Sequence, residues 1–232
     1  MVGRDKSLVA AQVDDPRIIA LSMTGDWVAA REPMQFSVSG IGPGISFAHE
    51  MLKSDPSITI ALVPCAVGGT PLSRWGKGAD LYEQAVRRAK IATRVGTLKG
   101  VLWHQGEQDS LDKGHADSYG IRLAFMFANL QSDLKLPHLP IVAGQLGEFL
   151  SPAKLPYAGT VRSAIAHVAD VLPDIGFADA IGLGHMGDSL HFSAVAQNEF
   201  GGRYAAAMLQ LQQRQKAATV QPHRVISDLQ TS

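Results

Sequence analysis

Residues suited to acid–base chemistry cluster just before the last predicted helix, in the stretch Gly184–Phe192. Asp188 and His191 are three residues apart there, which lets a carboxylate reach the ring N–H of an imidazole. Such a contact fixes the tautomer of the histidine and stabilises its protonated form, which is half of a hydrolase triad. We therefore predict catalytic roles for Asp188 and His191. A purely structural histidine beside a helix N-terminus is the alternative.

A metal site is a second alternative for the same stretch, because His185, Asp188 and His191 are evenly spaced. Zinc hydrolases usually carry two histidines at positions i and i+4 of one helix, and this sequence has no such pair. We therefore predict no metal ion and no other cofactor.

Two other loops carry candidate donors for an oxyanion. Gly69 lies in a glycine-rich turn after the apolar run Ile58–Val63, where a free backbone N–H can serve a developing negative charge. Gln105 follows the apolar run Val101–Trp103, and its side-chain amide is a second suitable donor. The alternatives are a plain turn at Gly69 and a polar loop with satisfied hydrogen bonds at Gln105.

Three neighbouring side chains are candidates for substrate binding. Trp75 would stack on a sugar ring if its indole is exposed, although a tryptophan packed in the core is at least as plausible. His104 and Glu107 flank Gln105 at a predicted strand end, which is where ligands bind in open α/β sheets.

The elements that position these residues alternate between strand and helix. Continuous apolar strands in such an order are typical of a parallel sheet covered by helices on both faces, so the predicted fold class is α/β. The predicted strands are Arg17–Ser22, Ile58–Val63, Val101–His104, Pro140–Leu146 and Ile175–Ala180, and the predicted helices are Ile45–Ser54, Leu81–Arg94, Ala116–Leu134, Ala158–Val171 and Ser193–Gln213.

Composition narrows the classes of partner. The 232 residues contain 21 Lys+Arg and 21 Asp+Glu, and this balance argues against nucleic acid or an anionic membrane surface. Cys65 is the single cysteine, so no internal disulfide can form. The cellular compartment and the oligomeric state stay open.

Taken together, these stretches resemble the SGNH-hydrolase superfamily, most closely its sialate O-acetylesterase and acetylxylan esterase branch, called carbohydrate esterase family 6. The similarity lies in three blocks that occur in the same order and spacing as in the family. They are Pro64–Thr70 with Trp75, then Trp103–Glu107, then Asp188–Phe192.

The resemblance implies a three-layer α/β/α sandwich with a flavodoxin-like parallel sheet. The esterase domain would cover residues 1–214, and residues 215–232 would form a loose tail. His191 would be the general base and Asp188 its orienting partner, with Gln105 and Gly69 as oxyanion donors and His104 and Glu107 shaping the site. The substrate would be an acetylated carbohydrate. The rival hypotheses are a non-catalytic carbohydrate-binding protein of the same fold and, less favoured, a lipase or thioesterase of the same superfamily.

The sequence departs from this family at its start. The family begins with a strand leading to Gly-Gln-Ser-Asn-Met, in which the serine is the nucleophile, and Met1 aligns with the last residue of that motif. We therefore expect the first strand and the nucleophilic serine to be missing from these 232 residues. Either the true start lies upstream, or the chain is a shortened form that hydrolyses no ester.

Overall fold

A computed structural model of the protein describes residues 1–35 and 40–229, with side chains up to residue 218. The strands are β1 (Ile18–Leu21), β2 (Trp27–Ala29), β3 (Ile60–Leu62), β4 (Val101–Trp103), β5 (Ile141–Gly144) and β6 (Ile175–Ala178). The helices are α1 (Gly44–Ser54), α2 (Asp80–Ala92), α3 (Lys113–Asp117), α4 (Tyr119–Asp133), α5 (Ala158–Val171) and α6 (Ala194–Leu229). Short 3₁₀ turns cover Val9–Ala11, Leu72–Trp75 and Asp109–Leu111.

The strands form two sheets of three strands each. One sheet has the order β2-β1-β3 and the other has the order β4-β5-β6. All neighbours are parallel except β1 and β2, which form an antiparallel hairpin. The predicted α/β class is thus confirmed, and β2 is an antiparallel edge strand that the sequence did not indicate.

Helices cover both faces of the strands, which gives three layers. On β5, Ile141 and Ala143 pack into a core with residues of α2, α4 and α5, whereas Val142 packs against α6 on the other face. Successive strand residues point to opposite faces, so a strand that is buried on both faces must be apolar throughout. All four residues of β5 are buried accordingly.

A slot separates the two sheets. Within the described residues, β3 pairs only with β1 and β4 pairs only with β5, so each has a free edge. Both free edges line one cavity of about 1870 Å³, together with apolar side chains of α2 and α4 and of α1 and α6. This slot therefore lies in the strand layer, with helices on either side. None of the helices that the structure describes is long and apolar enough to cross a membrane.

Most predicted elements shift by one to three residues at their ends, and two regions differ more clearly from the prediction. The predicted helix Ala116–Leu134 is divided into α3 and α4 at Ser118, whose hydroxyl donates to the carbonyl of Gly114 at 2.7 Å. Such bonds from serine to a preceding carbonyl compete with regular helix geometry.

The expected loose tail from residue 215 is wrong in part, because α6 continues as a helix to Leu229. Gln212 and Gln215 anchor its middle by donating to the carbonyl oxygens of Lys99 and His138, at 3.1 Å and 2.6 Å. Residues 212–218 are also rich in Gln, Lys and Ala, which favour helix without requiring an apolar stripe.

We expect a methyl group added at Gly144, at the end of β5, to destabilise the fold. Its Cβ would lie 1.8 Å from the hydroxyl oxygen of Tyr204, which donates to the carbonyl of Trp103 at 2.8 Å. Gly144→Ala should lower the free energy of unfolding by about 1–3 kcal/mol, measured by urea denaturation. Gly96→Ala is the matched control, because a Cβ at Gly96 meets nothing within 4 Å. Equal stability of the two variants would contradict this packing.

Candidate active site

The predicted site residues come together where the slot opens beyond the carboxyl ends of β3 and β4. The wall of this end of the cavity includes Gly69, His104, Gln105, Glu107 and His191. Parallel strands bring the loops that follow them to one edge of a sheet, which explains why distant segments meet here. Gly69, Gln105 and His191 all line this cavity, and their roles as oxyanion donors and base stay predictions.

Asp188 and His191 make the contact that their spacing predicts. His191 Nδ1 lies 2.6 Å from Asp188 Oδ2, while Asp188 Oδ1 accepts the backbone N–H groups of Leu190 and His191 at 2.9 Å each. Burial tends to raise the pKa of Asp188, but the N–H of His191, its imidazole and the N–H of Leu190 outweigh it and lower the pKa to about 2. The carboxylate therefore stays charged at neutral pH and can orient the imidazole.

Gly69 presents a backbone N–H that is not used elsewhere in the described part of the chain. Its φ is 71°, a left-handed conformation that glycine adopts at little cost, and no hydrogen bond from its N–H to a described residue is present. An added Cβ at Gly69 would meet nothing within 4 Å, so the turn borders open space. The N–H of Gly69 is therefore suited to donate a hydrogen bond to a ligand in the cavity.

The side-chain amide of Gln105, in contrast to the N–H of Gly69, already donates to two other groups. Its Nε2 donates to the carbonyl of Thr70 at 3.0 Å and to Asp109 Oδ2 at 2.8 Å, and its Oε1 accepts from the hydroxyl of Tyr119 at 3.0 Å. A primary amide has two N–H bonds, so both are engaged. An oxyanion would have to replace Thr70 or Asp109 before Gln105 could donate to it.

Trp75 is a buried core residue, which corrects the interpretation of an exposed indole. It is 8 % exposed, its Nε1 donates to Thr70 Oγ1 at 3.0 Å, and its ring packs edge-on against Trp103 with centroids 5.4 Å apart. The indole thus stabilises the Gly68–Thr70 turn through its hydrogen bond to Thr70. The core-packing alternative describes its position.

His104 and Glu107 lie close to each other in the cavity wall. His104 Nε2 is buried and lies 3.6 Å from Glu107 Oε1, while the Glu107 side chain is 37 % exposed. Burial tends to raise the pKa of Glu107, but the interaction with His104 lowers it below its ordinary value. Glu107 is therefore a charged group that a ligand in the cavity can reach.

Several supporting residues carry no sequence signal, because they come from helices far along the chain. Tyr119 and Arg122 on α4 hold Gln105 and Asp109, and Tyr204 on α6 reaches the carbonyl of Trp103 beside His104. Asp109, four residues after Gln105, is completely buried. These contacts depend on the packing of whole helices.

Nucleophiles near His191 are few among the described residues that line the cavity. The hydroxyl of Thr70 is engaged with Val67 and Trp75. Burial raises the pKa of the Cys65 thiol to about 11, against the opposing effect of Arg88, so the thiol is protonated at neutral pH. Ser7 does not line the cavity.

Solved structures share this fold. The X-ray structure of an Arabidopsis thaliana protein superposes with a TM-score of 0.79, covering 85 % of this chain and 83 % of that one at 36 % identity. The crystal structure of NanS matches with a TM-score of 0.77 at 19 % identity, covering 92 % and 94 % of the two chains. A carbohydrate acetylesterase from Xanthomonas citri matches with a TM-score of 0.65 at 22 % identity, covering 87 % of this chain and 50 % of that one. The chain thus shares its α/β fold with these solved structures.

Sequence comparison gives the family. Residues 1–210 match the family model described as carbohydrate esterase, sialic acid-specific acetylesterase. The Arabidopsis thaliana relative, described as a probable carbohydrate esterase, is 36 % identical over 214 residues, which is 88 % of this chain and 79 % of the relative. The protein belongs to this carbohydrate esterase family, as the resemblance predicted.

The low pKa of Asp188 predicts the pH below which its charged contact with His191 is lost. Because the pKa in the folded protein is about 2 and the ordinary value is 3.8, the stability that this carboxylate contributes is present above pH 3.8 and is lost as pH falls through about 2. NMR titration of the Asp188 carboxyl carbon should give a midpoint near 2. A midpoint at the ordinary value would contradict the observed hydrogen bonds.

Proposed function

We propose that this protein hydrolyses O-acetyl esters on a carbohydrate by a serine-type mechanism, with the serine supplied by a segment outside the described residues. The observation that carries the proposal is the Asp188–His191 contact of 2.6 Å, facing the same cavity as the free N–H of Gly69. Membership of the carbohydrate esterase family supports the acetylated sugar as substrate.

The chemistry needs each of these groups in turn. His191, held by Asp188 through Nδ1, would accept the serine proton at Nε2 as the serine oxygen attacks the acetyl carbonyl. The N–H of Gly69 would stabilise the tetrahedral oxyanion. His191 would then return the proton to the leaving sugar oxygen, and a water molecule would release acetate from the acyl-enzyme by the same steps.

Gln105 remains a candidate oxyanion donor, provided that one of its present hydrogen bonds can break. Its bond to Thr70 or Asp109 would have to open when the oxyanion forms. In the described arrangement Gln105 instead fixes the carbonyl of Thr70, and therefore holds the turn that presents Gly69. Both roles predict a loss of activity on substitution, whereas only the donor role requires the amide to move.

The slot between β3 and β4 supports an additional strand as the source of the serine. Residues 58–63 and 98–103 line its two sides, and the segments that follow β3 and β4 meet at the Asp109 carboxylate, which accepts the N–H of Leu72 and the amide of Gln105. A parallel strand of about six residues would span roughly 20 Å and would pair with both edges. Its end would reach the opening where His191 lies.

Two buried polar atoms also support the presence of an additional strand in the slot. His104 Nε2 and Gln197 Oε1 line the same cavity and have no hydrogen-bond partner among the described residues. Buried polar atoms without a partner are costly, about 1–3 kcal/mol each, and are uncommon in folded proteins. A strand in the slot would bring backbone and side-chain groups within reach of this wall.

We expect the 232-residue chain to have almost no esterase activity, and an N-terminal extension that supplies a strand ending in Gly-Gln-Ser-Asn to restore it. Loss of the nucleophile typically costs on the order of 10⁴-fold or more in turnover. Hydrolysis of p-nitrophenyl acetate measures both forms, and His191→Ala in the extended chain should abolish the gain.

The controls decide where the serine comes from. Ser37→Ala and Ser39→Ala test two serines that lie outside the described residues, and neither should change the activity of the extended chain. If the 232-residue chain turns over the ester at an enzymatic rate, and His191→Ala abolishes this, another residue is the nucleophile and the proposal of an added strand is wrong.

A non-catalytic carbohydrate-binding role is the second candidate, favoured by the lack of a serine beside His191 among the described residues of the cavity wall. It predicts that the 232-residue chain binds acetylated xylo-oligosaccharides or O-acetyl sialic acid in titration calorimetry. Glu107→Gln should weaken binding, because Glu107 is charged and half-buried in the wall. Glu50→Gln on α1 is the matched control, because Glu50 is exposed to a similar extent but does not line the cavity. No heat at millimolar ligand counts against binding.

A further inference from the structure

His185 has an unusual hydrogen-bonding role in the loop that carries the candidate base, residues Gly184–Phe192, here called the base loop. Its Nδ1 accepts two backbone N–H groups, from Gly187 at 3.0 Å and from Ser189 at 3.1 Å. An imidazole nitrogen that accepts two N–H groups carries no proton, so the ring proton must be on Nε2. The two donors bracket Asp188 in the sequence.

The turn held by His185 is conformationally strained. Gly187 has φ of 107° and Ser189 has φ of 54°, and a serine rarely adopts the left-handed region. Such conformations persist where surrounding contacts determine them. The two bonds to His185 are the contacts that close this turn.

His185 is itself fixed on the side facing the core. It pairs with Phe192 in an isolated antiparallel bridge, and its ring lies against Phe149 with centroids 5.2 Å apart. The loop is closed further by the N–H of Met186, which donates to the carbonyl of His191 at 2.9 Å. The ring therefore connects a buried aromatic cluster to an exposed turn.

We propose that His185 is a positioning residue, whose unprotonated Nδ1 holds Asp188 in place against His191. This inference rests on the proposed function, in which His191 is the base. The acceptor atom is occupied by two N–H groups, so His185 is not a second base, and the described residues offer no third ligand for a metal there. Besides Asp188 and His191, a further charged group contacts this turn: Lys154 Nζ donates to the carbonyl of Asp188 at 3.1 Å.

The first test is spectroscopic and does not need activity. The Nδ1–H proton of His191 should give a low-field NMR signal, which His191→Ala removes and so assigns. His185→Ala should broaden or remove that signal, because the turn loses its acceptor. His185→Asn should keep it, since an Asn side chain can accept the N–H two residues ahead. His167→Ala, a change of an exposed histidine on α5, should leave it unchanged.

The second test uses the extended, serine-containing chain. His185→Ala should lower kcat on the order of 10²-fold, the size expected for a displaced catalytic group, with KM little changed and with recovery in His185→Asn. An undiminished His191 signal in folded His185→Ala, or a ring proton on Nδ1 of His185 by ¹⁵N NMR, would overturn the inference. If the extended chain is inactive while the signal responds as expected, the proposed function fails and the positioning role stands.

Discussion

A fully buried carboxylate, that of Asp109, joins the two halves of the candidate site. Its Oδ2 accepts the backbone N–H of Leu72 and the amide of Gln105 at 2.8 Å each, and its Oδ1 pairs with Arg122 at 2.8 Å. Leu72 belongs to the segment after β3 and Gln105 to the segment after β4, so one side chain spans the slot. Removing one partner of a buried charge pair typically costs about 3–5 kcal/mol, which indicates how firmly this junction is held.

The slot can stay open because its two sides are joined elsewhere. At the carboxyl ends of the strands the junction is Asp109, and on one face of the sheets it is the packing of α1 against α6. A Cβ on Gly201 would lie 2.0 Å from Ser46 Oγ and 2.6 Å from the carbonyl oxygen of Pro43, so the two helices approach as closely as a glycine permits. The positions of Gly69 and His191 in the wall of one cavity therefore do not depend on pairing between β3 and β4.

The sequence predicted features set by neighbours in the chain. Asp188 and His191 are three residues apart, and their contact depends on one turn; apolar runs likewise located β3, β4 and β5. Features set by distant partners were not predictable. Trp75 is buried because Trp103 packs against it, and Gln105 is saturated because Thr70 and Tyr119, 35 and 14 residues away in the chain, come within reach only in the folded protein. The hairpin strand β2 was missed because it has three residues with no buried member.

The two sides of the candidate site are held in physically different ways. Gln105 and Asp109 are at most 7 % exposed and take their hydrogen bonds from separate elements, so their positions depend on the stability of the whole fold. Asp188 and His191 are more than one-third exposed and are held largely by bonds within one loop. Local opening of exposed segments costs much less free energy than global unfolding. The position of the candidate base, His191, can therefore change while the side of the candidate site that carries Gln105 stays intact, and the precision of the candidate site is limited by the loop that carries His191.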